Sequence, residues 1–165
     1  MSIAVQVEQS AGSPPGVEYR WDADTDILTA RLDAIENGVG PSGSLELAGT
    51  DGAWLILDVV RGRLVGLEVA VWPDVHKRAT LLPPSAVQDG RVTVPHGAEN
   101  GPVLVEVETP LLAESDEAER VVYFRVGLKR DVRTVRLGRD LLLDVDTQSR
   151  IAGLWLLNVP PFPSS

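Results

Sequence analysis

The chain has 165 residues, of which 44% are apolar, with no cysteine and a formal net charge of -9 at pH 7. This size and composition suffice for a packed core in one medium domain or two small ones, and the lack of cysteine excludes disulfides and thiolate metal sites. The acidic balance disfavours nucleic-acid binding, because negative charge repels a phosphate backbone. We find no apolar run long enough for a membrane helix and no secretory-signal pattern at residues 1–8, so we expect a cytoplasmic protein.

Residues 1–16 are polar and end in a stretch rich in serine, proline and glycine, which predicts a flexible N-terminal arm. Val5 and Val7 could still form a short edge strand within it. Apolar and polar residues then alternate in short runs, the period of half-buried strands, and predict a first β-meander repeat over residues 17–82. Its strands are expected at 17–21, 27–32, 44–48, 54–60 and 64–71, and a short helix at 74–82.

Prolines and glycines interrupt residues 83–119, which predicts a connecting region with two strands, at 91–94 and 103–108, and an acidic loop at 114–119. A second β-meander repeat is predicted over residues 120–160, and a tail over 161–165. Its strands are expected at 121–126, 132–137, 141–145 and 151–158. The predicted fold class is therefore mainly β, a tandem duplicated antiparallel β-meander with at most one or two short helices.

The duplication rests on matched landmarks that recur in the same order. Gly66 and Gly153 each stand inside a strand pattern, which predicts a bulge or a close approach of another backbone. The remaining matched pairs are Tyr19 with Phe124, Asp26–Leu32 with Asp131–Leu137, Leu57–Val59 with Leu143–Val145, Arg63–Leu67 with Arg150–Leu154, and Pro73 with Pro160.

Residues 17–80 contain a Tyr-Asp-like start at 19–22, an Asp-x-Leu strand at 26–28, a strand ending at Leu57–Asp58, and a Gly-Leu-Glu-Val strand at 66–69 before a predicted short helix that includes residues 74–78. In these features the chain resembles a family of small prokaryotic proteins of unknown function. Residues 120–160 resemble that family less, because Trp155 replaces the glutamate. The resemblance implies a β-meander fold and carries no activity with it.

Two motifs match part of the sequence pattern of a known binding site but lack the other residues or elements that the site requires. Residues 38–43 read G-x-G-x-x-G, but 44–48 is too short and too alternating for the helix that a dinucleotide site needs. Residues 22–26 alternate carboxylates as a calcium loop does, but Ile27 and Asp33 stand where glycine and glutamate are required. We therefore interpret them as a plain loop and a hairpin turn.

No complete catalytic or metal-binding set is found in the sequence, so we predict no catalytic residue, cofactor or metal site. His76 and His96 are the only histidines and lie on different segments, so they do not by themselves indicate a zinc site, which usually needs three protein ligands. Ser42 and Ser85 lie outside a nucleophile-elbow motif. Three carboxylates in or beside apolar strands are expected at strand ends or on outward faces, namely Asp58, Glu68 and Asp144. A solvent-facing position is also expected for the basic stretch of Lys129, Arg130, Arg133, Arg136 and Arg139.

The tryptophans are the most informative residues, with roles either in the core or at a binding surface. Trp72, Trp155 and Leu157 are the candidate interface residues. Unpaired sheet edges in a chain with few lysines predict a homo-oligomer, most simply a dimer, or docking of another protein. We thus predict a non-enzymatic protein-interaction or assembly module; the alternative is a small-molecule-binding protein or enzyme with a pocket between the two repeats. A pocket containing carboxylates, His76 and Trp72 would favour the alternative.

Overall fold

The computed structural model describes residues 3–10, 12–33, 40–95 and 103–163. These residues form fourteen strands and no helix, which confirms the predicted mainly β fold. The described residues thus include no helix of the length and apolar character needed to span a membrane. The strands are β1 (Gln6–Gln9), β2 (Val17–Asp22), β3 (Ile27–Leu32), β4 (Gly43–Ala48), β5 (Trp54–Val60), β6 (Arg63–Val71), β7 (Val75–Arg78), β8 (Val87–Thr93), β9 (Val103–Glu108), β10 (Leu111–Asp116), β11 (Val122–Val126), β12 (Val132–Gly138), β13 (Leu141–Asp146) and β14 (Ile151–Leu156).

The strands form two half-sheets that share one hydrogen-bonded network. Half-sheet one has the order β2-β3-β6-β5-β4-β9, and half-sheet two has the order β10-β11-β14-β13-β12-β8, with β7 outside β10. Strand β8 joins the two, because its first residues pair with β12 while its last residues pair with β1 and β6. The short strand β1 therefore lies at the junction.

A single core lies between the half-sheets. Strands such as β3 and β5 alternate buried and partly exposed residues, so one face of half-sheet one is covered. In β13 and β14 every residue is buried, so the centre of half-sheet two is covered on both faces. Leu57 and Leu67 from half-sheet one belong to the same apolar cluster as Phe124, Leu143 and Leu154 from half-sheet two.

Three predicted elements differ from the structure. Residues 3–9 are not a free arm, because Ile3 and Val5 are buried and β1 pairs with β8. The helix predicted at 74–82 is wrong: Val75–Arg78 is the strand β7, which adds to the edge of β10 in parallel. The connecting region has three strands, since the first part of the predicted acidic loop at 114–119 belongs to β10.

The two half-sheets repeat one pairing pattern, which agrees with the landmark pairs on β5 and β13 and on β6 and β14 but not with the pair on β3 and β12. Strand β3 lies between β2 and β6, whereas β12 lies between β13 and β8, so the predicted equivalence of Asp26–Leu32 with Asp131–Leu137 is wrong. The match runs instead from β2, β3, β6, β5, β4 and β9 to β10, β11, β14, β13, β12 and β8. In each series the first four pairings are antiparallel and the last is parallel.

The two strand glycines occupy corresponding places in this pattern. Gly66 pairs with Asp58 on one side and Arg31 on the other, and Gly153 pairs in the same way with Asp144 and Arg125. A β-carbon on Gly66 would lie 2.8 Å from the carbonyl oxygen of Ala30, and one on Gly153 would lie 3.0 Å from the carbonyl oxygen of Phe124. A register shift follows each Asp–Gly pair. The predicted close approach and bulge are therefore both present.

Candidate functional site

A cleft of about 320 Å³ opens where the two half-sheets meet, and we call it the junction cleft. Half-sheet one and the residue after β6 contribute Trp21 and Trp72 to its aromatic floor, and the C-terminal segment contributes Phe162. Half-sheet two and the C-terminal segment contribute a wall. The lining residues are Trp21, Asp26, Trp72, Val75, Lys77, Ser115, Glu119, Val122, Val159 and Phe162.

Stacked aromatic rings form the floor of the junction cleft. The rings of Trp21 and Trp72 are nearly parallel, with centroids 5.7 Å apart and an interplanar angle of 17°. Phe162 meets Trp21 edge-on at 5.1 Å. On the core side Trp72 contacts Phe124, with centroids 5.7 Å apart, and Phe124 is fully buried. The floor is thus anchored to the core below and partly open above.

Hydrogen bonds to backbone carbonyls hold both indoles in place. Trp72 Nε1 donates to the carbonyl oxygen of Asp26 at 2.7 Å, and Trp21 Nε1 donates to that of Pro160 at 2.9 Å. Asp26 presents its carbonyl from the turn between β2 and β3, where its φ is 61° and its N–H donates to the carbonyl oxygen of Asp22 at 2.9 Å. Aspartate tolerates this left-handed conformation better than most residues. The carboxylate-rich turn therefore positions an indole.

An ion pair crosses the rim of the cleft. Lys77 Nζ on β7 lies 2.8 Å from Glu119 Oε1 in the turn between β10 and β11, and both side chains are exposed. Glu119 raises the pKa of the Lys77 amine, first by its hydrogen bond and then by its charge. Below the rim, the buried Ser115 hydroxyl donates to the carbonyl oxygen of Asp116 at 3.1 Å. The cleft therefore combines aromatic faces with one positive and one negative group at its mouth.

A second polar group lies inside half-sheet two, away from the cleft. Asp144 is buried and accepts hydrogen bonds from Thr134 Oγ1 at 2.7 Å and from Trp155 Nε1 at 3.3 Å. Burial raises the pKa of the Asp144 carboxyl, and these two donors partly offset the rise. Tyr123 packs on Trp155 at 4.4 Å, and burial raises the pKa of Tyr123 to about 12. Because the carboxylate is buried and both of its oxygens accept hydrogen bonds within the sheet, we interpret this group as structural.

The three candidate interface residues do not form one surface. Trp72 lines the cleft, but Trp155 is only 7% exposed, so its predicted interface role does not agree with its burial. Leu157 is half-buried, and its carbonyl oxygen accepts a 2.8 Å hydrogen bond from the Tyr19 hydroxyl. Trp72 and Trp155 both follow apolar runs in a returning strand, so the sequence pattern alone did not separate the half-buried indole from the buried one.

Several residues singled out from the sequence have plain structural settings. His76 is exposed on β7, His96 lies outside the described residues, and residues 22–26 form the hairpin turn. Of the G-x-G-x-x-G motif, residues 38 and 39 are not described, and Gly43 begins β4. Phe162 was not predicted as a site residue, and its signal in the sequence is an aromatic side chain within a proline run.

No protein-family model matches the chain, and no curated protein matches it significantly. The resemblance to the prokaryotic family of unknown function therefore stays a prediction.

The described residues contain no group of three or more histidine, aspartate or glutamate side chains that could hold a metal ion. The groups in the cleft can bind a ligand through ring stacking, through apolar contact and through the two opposite charges at the rim.

Proposed function

We propose that this protein is a non-enzymatic interaction module that holds a protein partner in the junction cleft. The observation that carries this proposal is the open aromatic floor, in which both indoles are fixed by hydrogen bonds to the backbone. Tryptophan contributes strongly to interfaces because it buries a large rigid surface at small entropic cost. A fixed pair of indoles in a concave site supports partner binding.

Exposed apolar side chains border the cleft and extend the surface. Val75 and Phe162 line it, with 39% and 44% of their surface exposed, and Val71 just before Trp72 is 50% exposed. Contiguous apolar exposure around a concave site is typical of interaction surfaces. The ion pair of Lys77 and Glu119 adds a polar rim, as expected around an apolar interface centre.

A charged side chain introduced into the cleft should weaken binding of the partner. We expect Val75→Glu to reduce recovery of bound partners at least about tenfold, because an unpaired carboxylate would be desolvated in the complex. Val132→Glu is the matched control, since Val132 is 43% exposed on β12 and does not line the cleft. Partners would be quantified by mass spectrometry after mild affinity purification of both variants and the wild type. Equal partner sets in all three would contradict the proposal.

The second candidate function is binding of a small molecule in the same cleft. It is favoured by a volume of about 320 Å³ and by the meeting of Trp72, Lys77 and two carboxylates in one pocket between the half-sheets. This volume is at the lower end of the range for ligand sites, which begins at about 300 Å³. Native mass spectrometry of protein purified at mild salt would detect a retained molecule and so decide for this candidate.

We also propose that the protein forms a twofold dimer through β9. Within the described residues this strand pairs only with β4, which leaves its other edge open, and Leu104 on it is 73% exposed. An open edge without lysine invites pairing with a second copy. Light scattering coupled to size exclusion should give a dimer mass for the wild type and a monomer mass for Leu104→Lys. Leu128→Lys is the control, since Leu128 is 77% exposed elsewhere; an unchanged mass for Leu104→Lys would contradict this dimer.

The repeated pairing order of the half-sheets supports an origin by duplication, with β2–β6 and β10–β14 as the two copies. This differs from the residue ranges expected from sequence landmarks. A cytoplasmic location is part of the same proposal and is supported by the absence of cysteine from the sequence.

A further inference from the structure

The C-terminal residues 159–163, Val-Pro-Pro-Phe-Pro, lie against the junction cleft. Val159 is buried, and its N–H donates to the carbonyl oxygen of Arg120 at 2.9 Å. The carbonyl oxygen of Pro160 accepts the hydrogen bond from Trp21 Nε1, and Phe162 packs edge-on against the same indole. One tryptophan therefore binds this segment through its N–H and through its ring.

This contact has the chemistry of proline-segment recognition. Proline has no N–H to offer, so a run of prolines is held through its carbonyl oxygens and its apolar rings. Grooves lined by aromatic side chains recognise such runs because the extended polyproline conformation is already formed before binding and loses little entropy. Trp21 supplies the indole donor, and Trp72 stacked on it continues the aromatic floor.

The segment is held less firmly as it runs toward the C-terminus. Val159 is buried and Pro160 half-buried, whereas Pro161, Phe162 and Pro163 are exposed. Beyond Pro160, the ring contact of Phe162 with Trp21 is the interaction that ties the segment to the cleft in the described residues. A competing segment would therefore have to displace few contacts.

We infer that the junction cleft binds a proline-containing extended segment of a partner protein, and that this segment replaces Pro160–Pro163 on Trp21. The inference rests on the proposed function and names the ligand class of the same site. In the free protein, the chain's own proline run acts as a resident competitor. Apparent affinity for the partner is then reduced by the fraction of molecules in which Trp21 is occupied.

The first test uses a labelled peptide that copies residues 157–163, Leu-Asn-Val-Pro-Pro-Phe-Pro, and a second peptide with alanine at its three prolines. Fluorescence polarisation with the full-length protein should show binding of the proline peptide and at least about tenfold weaker binding of the alanine peptide. In nitrogen-15 spectra, the indole signal of Trp21 should shift on addition of the proline peptide. Equal binding of the two peptides, or no binding of either, overturns the inference.

The second test separates displacement from simple contact. Phe162→Ala should bind the proline peptide about threefold or more tightly, because the resident segment is weakened and the competent fraction rises. In the Phe162→Ala background, where the resident segment is already weakened, adding Trp21→Phe keeps an apolar ring but removes the donor, so peptide binding should weaken about fivefold. Leu128→Ala, an exposed position outside the cleft, should change nothing. Weaker peptide binding by Phe162→Ala overturns displacement.

The outcomes also distinguish this inference from the proposed function. If the peptides fail while partner recovery still depends on Val75, the cleft binds a partner of another chemistry and the proline inference alone falls. If partner recovery is also insensitive to Val75→Glu, the proposed function falls with it. If the dimer is lost in Phe162→Ala but retained in Leu104→Lys, the cleft is occupied by residues 160–163 of a second copy of this chain. That result would overturn the inference that the cleft binds a segment of another protein.

Discussion

Replacing Phe124 by alanine is expected to lower the free energy of unfolding by about 3–5 kcal/mol, the usual cost of emptying a fully buried aromatic site. Phe124 has no exposed surface and is among the largest fully buried side chains of the described residues. It lies on β11, between β10 and β14 in half-sheet two, and touches Trp72 across the junction. The cavity left by its removal would adjoin both half-sheets, so neighbouring side chains could fill it only in part.

Urea unfolding followed by far-ultraviolet circular dichroism would measure this change. Phe162→Ala is the matched control, because the same atoms are removed from a ring that is 44% exposed. We expect the control to cost less than about 1 kcal/mol, since most substitutions at exposed positions have small effects. Similar losses in the two variants would show that burial in the core is not what makes Phe124 important.

Arg130 is the second residue whose loss should be severe. Its guanidinium donates to Asp146 Oδ2 at 2.8 Å and to the carbonyl oxygens of Val126, Leu128 and Ile151 at 2.9, 2.7 and 3.0 Å. The Arg130 side chain is 27% exposed and that of Asp146 only 3%. Arg130 thus joins the ends of three neighbouring strands of half-sheet two, β11, β13 and β14.

We expect Arg130→Ala to lower the free energy of unfolding at pH 7 by about 3 kcal/mol, because it leaves a buried carboxylate without its closest cation and removes a donor from three carbonyls. Arg20→Ala is the control, since Arg20 and its partner Glu18 are 78% and 66% exposed. That variant should change stability by less than about 0.5 kcal/mol. Urea unfolding of both variants measures the difference, and equal losses would contradict a special role for Arg130.

The effect of Arg130→Ala should depend on pH in one direction. Burial alone would raise the pKa of Asp146, but the N–H of Arg150, the guanidinium of Arg130 and the N–H of Gln148 together lower it below its usual value of 3.8. A carboxyl whose pKa is lowered by folding stabilises the fold above its unfolded pKa, and this contribution is lost as the pH falls through the folded pKa. The difference in the free energy of unfolding between wild type and Arg130→Ala should therefore become smaller below pH 3.8. A gap that stayed constant from pH 7 to pH 2 would show that Asp146 is not the partner that matters.

Period-2 alternation and turn residues are local properties, and they were enough to predict most of the strands. Residues 54–60 and 64–71 were expected to form a hairpin around Arg61 and Gly62. They form β5 and β6, because apolar runs on both sides of that turn leave few other ways to bury their side chains. Gly66 and Gly153 were expected at close approaches for a similarly local reason, since a strand interior has no other use for glycine. The all-β class and the two strand glycines were thus readable from the chain itself.

Only the tertiary structure determined which distant strands pair and what surrounds each individual side chain. Val75–Arg78 is a strand because β10 offers it an edge, a partner that lies more than thirty residues further along the chain. Of the basic stretch, Arg130 alone became a clamp on the buried Asp146, because β11, β13 and β14 bring their ends to its side chain. The junction cleft likewise joins Trp21 and Trp72, fifty-one residues apart in the chain, to Phe162 of the segment after β14. Sequence patterns report local preference, whereas these positions depend on contacts whose partners are far apart in the chain.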